Sequence, residues 1–207
     1  MSVAILVPCC GPVDPKVFQS ALAMAAATSE QKIDQVGVTN RVLVDEARQW
    51  LAEGFLQTDC EWAFWMDADM ILEPRSINVL LSWAKKLDAK MLTGIYYQRQ
   101  GNHKPIIWRR DGQYAEGDDY SHNTVIPPPG VKDPFVIHCA GFGCMLIHRD
   151  VFTEVAKEGK PWFTHVWYSV NGNGERKKSS EDFYFCVKAR KAGFKLWAVP
   201  ELRCGQY

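Results

Sequence analysis

The sequence predicts an α/β fold, a mixed and mostly parallel sheet flanked by helices. Three observations carry this. Continuous apolar runs such as Val3-Ala4-Ile5-Leu6-Val7 read as central strands buried on both faces. Apolar residues at helical spacing fill the stretches between such runs. Along the first half the two alternate as strand, helix, strand, helix, strand, helix, strand, the order of parallel strands joined by helices.

The elements follow in order. Residues 3–7 form the first strand, ended by Pro8. A helix over 15–28 starts at Asp14-Pro15 and spaces Val17, Phe18, Ala21, Leu22 and Ala25 along one stripe. Residues 36–39 read as a short second strand. Residues 44–56 form a strong helix with Val44, Ala47, Leu51 and Phe55 on one face and Arg48 and Glu53 among the polar positions. Residues 62–69 read as a buried strand ending in two acids, Asp67 and Asp69. Glu73-Pro74-Arg75-Ser76 opens a helix over 77–86 that turns Ile77, Leu80, Leu81 and Ala84 inward, and 91–97 is the next strand.

The pattern then changes. Residues 98–135 are rich in Gly, Pro, Asp and Asn, with one strand-like island at 106–108. A long irregular segment inside a compact domain is usually functional. Strands follow at 135–139 and 144–147 around a turn at 140–143, then a short helix over 151–157 capped by Asp150. Residues 169–180 read as a flexible loop. A last helix carries Phe183, Cys186, Val187, Ala189 and Ala192 and is closed by Gly193, before a final strand at 195–199. There is no internal repeat and no linker, so residues 1–207 are expected to form a single domain.

Composition excludes several function classes. The net charge is zero, so nothing global points to a nucleic-acid or membrane partner. Seven Cys occur without a Cys-x-x-Cys pair and read as reduced thiols of a cytoplasmic protein. The five His have no metal-ligand spacing. The N-terminus lacks the basic start and apolar core of a signal peptide, and the apolar run at 21–27 is too short to span a bilayer.

The chemistry is expected at the acids. Side chains two apart on a strand share a side, so Asp67 and Asp69 would present two carboxylates at a strand's C-terminal end, where open α/β sheets bind ligands. Such a pair repels unless a cation sits between, and oxygen ligands suit Mg²⁺ or Mn²⁺. A bare Asp-x-Asp also fits two solvated acids. A calcium loop does not fit, because Met70-Ile71-Leu72 follows. A second pair, Glu181 and Asp182, opens the last helix. Ser179 to Asp182 fits a capping box, and equally fits a rigid general base behind a loop that brings Lys177 and Lys178.

In this order the parts resemble the GT-A glycosyltransferases, nearest the inverting family 2-like group, over nearly the whole chain. The segments that carry the likeness are AILVPCC, Glu46-Ala47-Arg48, FWMDADMILEP, CAGFGCMLIHRDVF, SEDFYFCVKARKAGFKLW and VPELRCGQ. The resemblance implies a Rossmann-like GT-A fold and transfer of a sugar from a nucleoside diphosphate donor with help from Mn²⁺ or Mg²⁺. Pro8 and Cys9 would line the base pocket. Arg48 would face the nucleotide, unless it is an ordinary surface arginine. Asp67, Ala68 and Asp69 form the DxD motif that binds metal and diphosphate. Gly141, Phe142 and Gly143 would lie near donor sugar and acceptor. Glu181 and Asp182 match the ED motif, with Asp182 the catalytic base. Where relatives carry a metal-binding His after the last Cys-Gly, this chain has Gln206, and it stops at Tyr207. The acceptor is open: a glycan, a protein or a modified nucleic acid base. Trp162, Phe163, Trp167 and Tyr168 could stack on it or belong to the core. The alternatives are a retaining GT-A transferase, a nucleotidyltransferase (although Cys9-Cys10-Gly11-Pro12 lacks the usual basic charge) and a non-catalytic nucleotide-sugar-binding relic.

Overall fold

A computed structural model describes residues 1–28, 32–39, 42–99, 102–110, 122–170 and 175–206. In chain order the elements are β1 (Ser2–Val7), α1 (Pro15–Ala27), β2 (Lys32–Val38), α2 (Val44–Leu56), β3 (Trp62–Trp65), β4 (Met70–Ile71), α3 (Ser76–Leu87) and β5 (Met91–Ile95). Then come β6 (Ile107–Arg109), β7 (Asn123–Thr124), β8 (Phe135–Ile137), β9 (Cys139–Ala140), β10 (Met145–His148) and α4 (Arg149–Ala156). The chain closes with β11 (Trp167–Val170), β12 (Glu175–Lys178), α5 (Glu181–Lys191), β13 (Leu196–Arg203) and β14 (Gly205–Gln206).

The main sheet has seven strands in the order β2-β1-β3-β10-β5-β13-β8. β1 runs parallel to β2 and β3, and β13 runs parallel to β5. β10 is antiparallel to both its neighbours, β3 and β5, and β8 is antiparallel to β13. Five strands therefore share one direction and two oppose it, which makes the sheet mixed and mostly parallel, as expected.

Helices cover both faces, and strand alternation explains how. On β3, Ala63 and Trp65 join one core with α2, α4 and α5, through Leu51, Phe55, Phe152 and Phe185. Trp62 and Phe64 point the other way, with Met66 just past the strand, into a second core with Val17 and Met24 of α1 and Ile77, Leu80 and Leu81 of α3. In the first core the rings of Phe163 and Phe185 stack with centroids 4.8 Å apart.

Several expectations change. β3 stops at Trp65, so Asp67 and Asp69 stand in the turn between β3 and β4, closed by the Met70 N–H on the Asp67 carbonyl at 3.0 Å. The strand-alternation argument for their shared side therefore fails. β2 begins earlier than expected, at Lys32. On α1, Phe18 and Leu22 are exposed, while Ser20 and Met24 take the buried stripe. The predicted strand at 135–139 splits into β8 in the main sheet and β9 in a small sheet with β6 and β7. The cap of α4 is His148, whose ring accepts the Asp150 N–H at 3.2 Å. The flanks of the supposed flexible loop form the β11–β12 ribbon. Residues 171–174, and 111–121 of the irregular segment, lie outside the described residues. The last strand runs on to Arg203. Among the described residues, no helix is long and apolar enough to cross a membrane.

Candidate active site

Pro8 and Cys9 follow the end of β1, Asp67 follows β3, and Tyr96 follows β5. β10 runs the other way, so the turn that leads into it, Gly141–Phe142–Gly143, reaches the same edge. The predicted residues thus converge on the C-terminal edge of the parallel strands, the usual ligand edge of such sheets. α5 presents Glu181 and Asp182 to that edge from the α2 side.

Arg48 is the hub. It projects from α2 and is 2% exposed, so it is not a surface arginine. Its Nη2 donates to Asp67 Oδ1 and its Nε to Glu181 Oε1, both at 2.9 Å. The guanidinium carbon lies 5.1 Å from the Phe142 ring centroid and 5.8 Å from that of Trp65. Nη1 is buried and makes no hydrogen bond among the described residues. Burial opposes the charge, but Asp67, Glu181 and Asp182 outweigh it, so the Arg48 pKa lies above its ordinary value.

The carboxylates respond to the same crowding. Burial is the main influence holding Asp67 above the usual carboxylate range; Asp69 and Glu181 add to it, against the pull of Arg48. Asp182 is pushed up to about 7, first by burial and then by the charge of Glu181. Its Oδ1 accepts the Ser180 hydroxyl and the Phe183 N–H. The predicted capping box is therefore not formed: Ser180 is the N-cap residue, but its hydroxyl serves Asp182 and makes no cap bond to the backbone. Glu181 is buried and pinned by Arg48, and His165 lies between its Oε2 and Asp45 Oδ2, 3.7 Å from each.

Asp69 has a different partner. Arg99 Nη2 meets its Oδ2 at 2.6 Å, with the two side chains 45% and 37% exposed. Ala68 between the two acids packs against the second core. Gln206 is aligned by its backbone opposite Met70, one residue beyond Asp69, because β14 pairs with β4. Its side chain lies outside the described residues. Among those described, no group of three His, Cys, Asp or Glu is disposed to hold a metal.

Other expected residues divide. Cys9 is buried and its N–H donates to Thr39 Oγ1 at 3.0 Å, which fixes the turn after β1; Pro8 is buried beside it. Phe142 is fully buried among Arg48, Trp65, Phe163 and Phe185, so its ring belongs to the core under the site and does not reach a sugar. Trp162 and Phe163 are core as well, whereas Trp167 is exposed on β11.

Sequence reasoning missed Tyr96, Arg99 and His165. The buried Tyr96 hydroxyl accepts the Gly143 N–H at 3.0 Å. A Cβ on Gly141 would run into that hydroxyl, and one on Gly143 would meet the ring at 2.8 Å, so both glycines are required by Tyr96. Burial and the charges of Asp67 and Asp182 keep the phenol protonated. No periodic or local signal links these residues to the acids in the sequence.

Comparisons with known proteins bear on the fold and the family. Two solved structures match over essentially the whole chain. The crystal structure of A197 from STIV has a TM-score of 0.63 at 16% identity, covering 100% of this chain and 86% of that one. The crystal structure of GalNAc-T7 with UDP, GalNAc and Mn²⁺ has a TM-score of 0.55 at 15% identity, covering 99% of this chain and 43% of that one. At these identities the likeness establishes the GT-A fold alone. No curated protein sequence matches the chain. The model of the family described as glycosyl transferase family 2 matches residues 49–156, a stretch that holds both aspartates of the turn and the glycines under Tyr96. With more than half of its residues inside that match, the chain belongs to glycosyl transferase family 2, a family of glycosyltransferases.

Proposed function

We propose that the chain transfers a sugar from a nucleoside diphosphate donor to an acceptor hydroxyl, with inversion at the anomeric carbon, as one domain spanning residues 1–207. The observation that carries this reading is the pair of hydrogen bonds that buried Arg48 donates to Asp67 and Glu181. It ties the donor acids to the helix that presents Asp182.

The donor set fits a hard divalent cation. Asp67, Asp69 and Glu181 set three carboxylates against the guanidiniums of Arg48 and Arg99, and carboxylate oxygens are the donors such an ion takes. Asp67 and Asp69 would hold Mn²⁺ or Mg²⁺ together with diphosphate oxygens. When bound, the ion stabilises charge on the departing diphosphate. Gln206, whose backbone pairs with Met70 just past Asp69, is the residue we assign as a further oxygen ligand.

The chain's own residues supply the rest. Both hydrogen bonds on Asp182 fall on Oδ1, so Oδ2 takes the acceptor proton. A pKa near 7 suits a base at neutral pH. Glu181 holds Arg48 in place. Arg48 Nη1, buried and without a hydrogen bond among the described residues, is the group left to meet a donor oxygen. Pro8 and Cys9 would border the base, and Gly141 and Gly143 the sugar. In the related GalNAc-T7 structure the nucleotide is UDP, which makes a uridine donor the first to try.

A thermal-shift series with UDP, GDP, CDP and dTDP, with and without Mn²⁺, tests the reading. One nucleotide with Mn²⁺ should stabilise the wild type, and Asp69→Ala should lose that shift. No shift with any of the four would overturn the donor assignment. Anomeric coupling in the NMR spectrum of the product decides inversion; a retained configuration would remove Asp182 from the role of base.

A further inference from the structure

The two aspartates of the turn are each paired with an arginine, but the arginines differ in every other respect. Arg48 is buried, bonded to two carboxylates and packed on two rings, so it has no freedom to change partner. Arg99 is half-exposed and, among the described residues, meets Oδ2 of Asp69. The chain before it is held in place. The segment after β5 doubles back, with Gln98 N–H on the Lys104 carbonyl at 2.9 Å, Ile106 N–H on the Tyr96 carbonyl at 2.8 Å, and a bridge between Tyr97 and Pro105. Arg99 therefore follows directly on a segment held at the site edge, and its long side chain has several bonds about which to turn.

An exposed ion pair of this kind is weak and yields to a better partner. A guanidinium also matches phosphate oxygens bidentately, as an ammonium cannot. We propose that Arg99 is a diphosphate-binding residue of the donor site that rests on Asp69: it gives up the carboxylate to an incoming divalent cation and takes the donor's phosphate oxygens instead. This rests on the reading of Asp67 and Asp69 as the donor site. It follows that Arg99 opposes binding of the cation alone and favours binding of cation and nucleotide together.

The test is a titration of Mn²⁺ followed by electron paramagnetic resonance, first with Mn²⁺ alone and then with whichever of UDP, GDP, CDP or dTDP stabilises the wild type most. Arg99→Gln should bind Mn²⁺ alone more tightly, by up to about fivefold, the most an exposed pair commonly resists. The same variant should bind the nucleotide with Mn²⁺ about tenfold or more weakly, having lost a charge-assisted phosphate contact. Arg99→Lys should fall between, because it keeps the charge and loses the fork. Equal affinities for wild type and Arg99→Gln in both titrations, or a parallel loss in both, would overturn the proposal. Asp69→Ala separates the two levels. If it loses Mn²⁺ and nucleotide binding while Arg99→Gln changes nothing, only the role of Arg99 falls. If Asp69→Ala binds like the wild type, the donor-site reading falls with it.

Discussion

Asp67 and Asp69 are two residues apart, and each meets an arginine, yet the two pairs do opposite work. In the Asp67–Arg48 pair the arginine is enclosed and the acid half-buried, at 3% and 29% exposed, and the arginine also grips Glu181. The Asp69–Arg99 pair lies open to water. A buried charge that loses its partner has no solvent to fall back on, whereas an exposed one does. The inner pair is therefore the one held in place, and the outer pair is the one that exchanges in the proposal above.

The largest effect should come from breaking the inner pair. Arg48→Ala strands Asp67 and Glu181 and should cost about 3–5 kcal/mol of stability by chemical denaturation. A loss comparable to that of an exposed substitution would show that water already reaches the pair. Next comes Asp182→Asn, which keeps the shape of the side chain and removes the base. The turnover number should drop about a hundredfold to ten-thousandfold with donor affinity kept.

Asp182 also sets the pH dependence. In the wild type kcat/KM should rise with pH and level off above about 7, as Asp182 ionises. Stability should move the other way. The folded state holds the Asp182 proton more tightly than the unfolded chain, so its contribution is full below the ordinary carboxylate range. That contribution is lost as pH rises towards about 7. Asp182→Asn should flatten both trends.

A smaller effect is expected at the glycine turn. Gly141→Ala drives a methyl into the Tyr96 hydroxyl and should cost about 1–3 kcal/mol. Tyr96→Phe should partly relieve that clash in the double variant, and simple additivity would show that the two do not touch. The smallest belongs to the outer pair, where Arg99→Gln should alter stability by less than about 1 kcal/mol.

Much of the frame was legible in the sequence because it is written in local pattern. Helix α2 runs over Val44–Leu56 as its apolar spacing predicts, and the expected inward face of α3 is the one that is buried. Asp67 and Asp182 were found by motif and order, and the fold brings them to one edge. What escaped was non-local. Arg48 and Glu181 are 133 positions apart, and nothing near either one announces the other. Tyr96 looked like one more strand residue, because the glycines that admit its ring lie far along the chain. The end of β3 was misplaced because Met66 is as apolar as the strand before it and fully buried, so composition gave no mark where pairing stops. The ribbon β11–β12 was masked by its composition, since Arg, Lys and Ser on a solvated two-stranded hairpin look the same as in a loop.

The antiparallel placement of β10 has a consequence for assembly. Residues 2–7, 32–38 and 62–65 make one half-sheet, residues 91–95, 196–203 and 135–137 the other, and only residues 145–148 join them. A nascent chain therefore cannot zip its early strands to its later ones until this short wedge has emerged and slid between them. The glycine turn is the leading end of that wedge, so Tyr96 meets Gly143 in the same event that unites the halves. Closure of the glycine turn on Tyr96 and the joining of the two half-sheets would then arrive together, and a chain stalled before Met145 would carry both aspartates of the turn beside β3 but neither Glu181 nor Asp182.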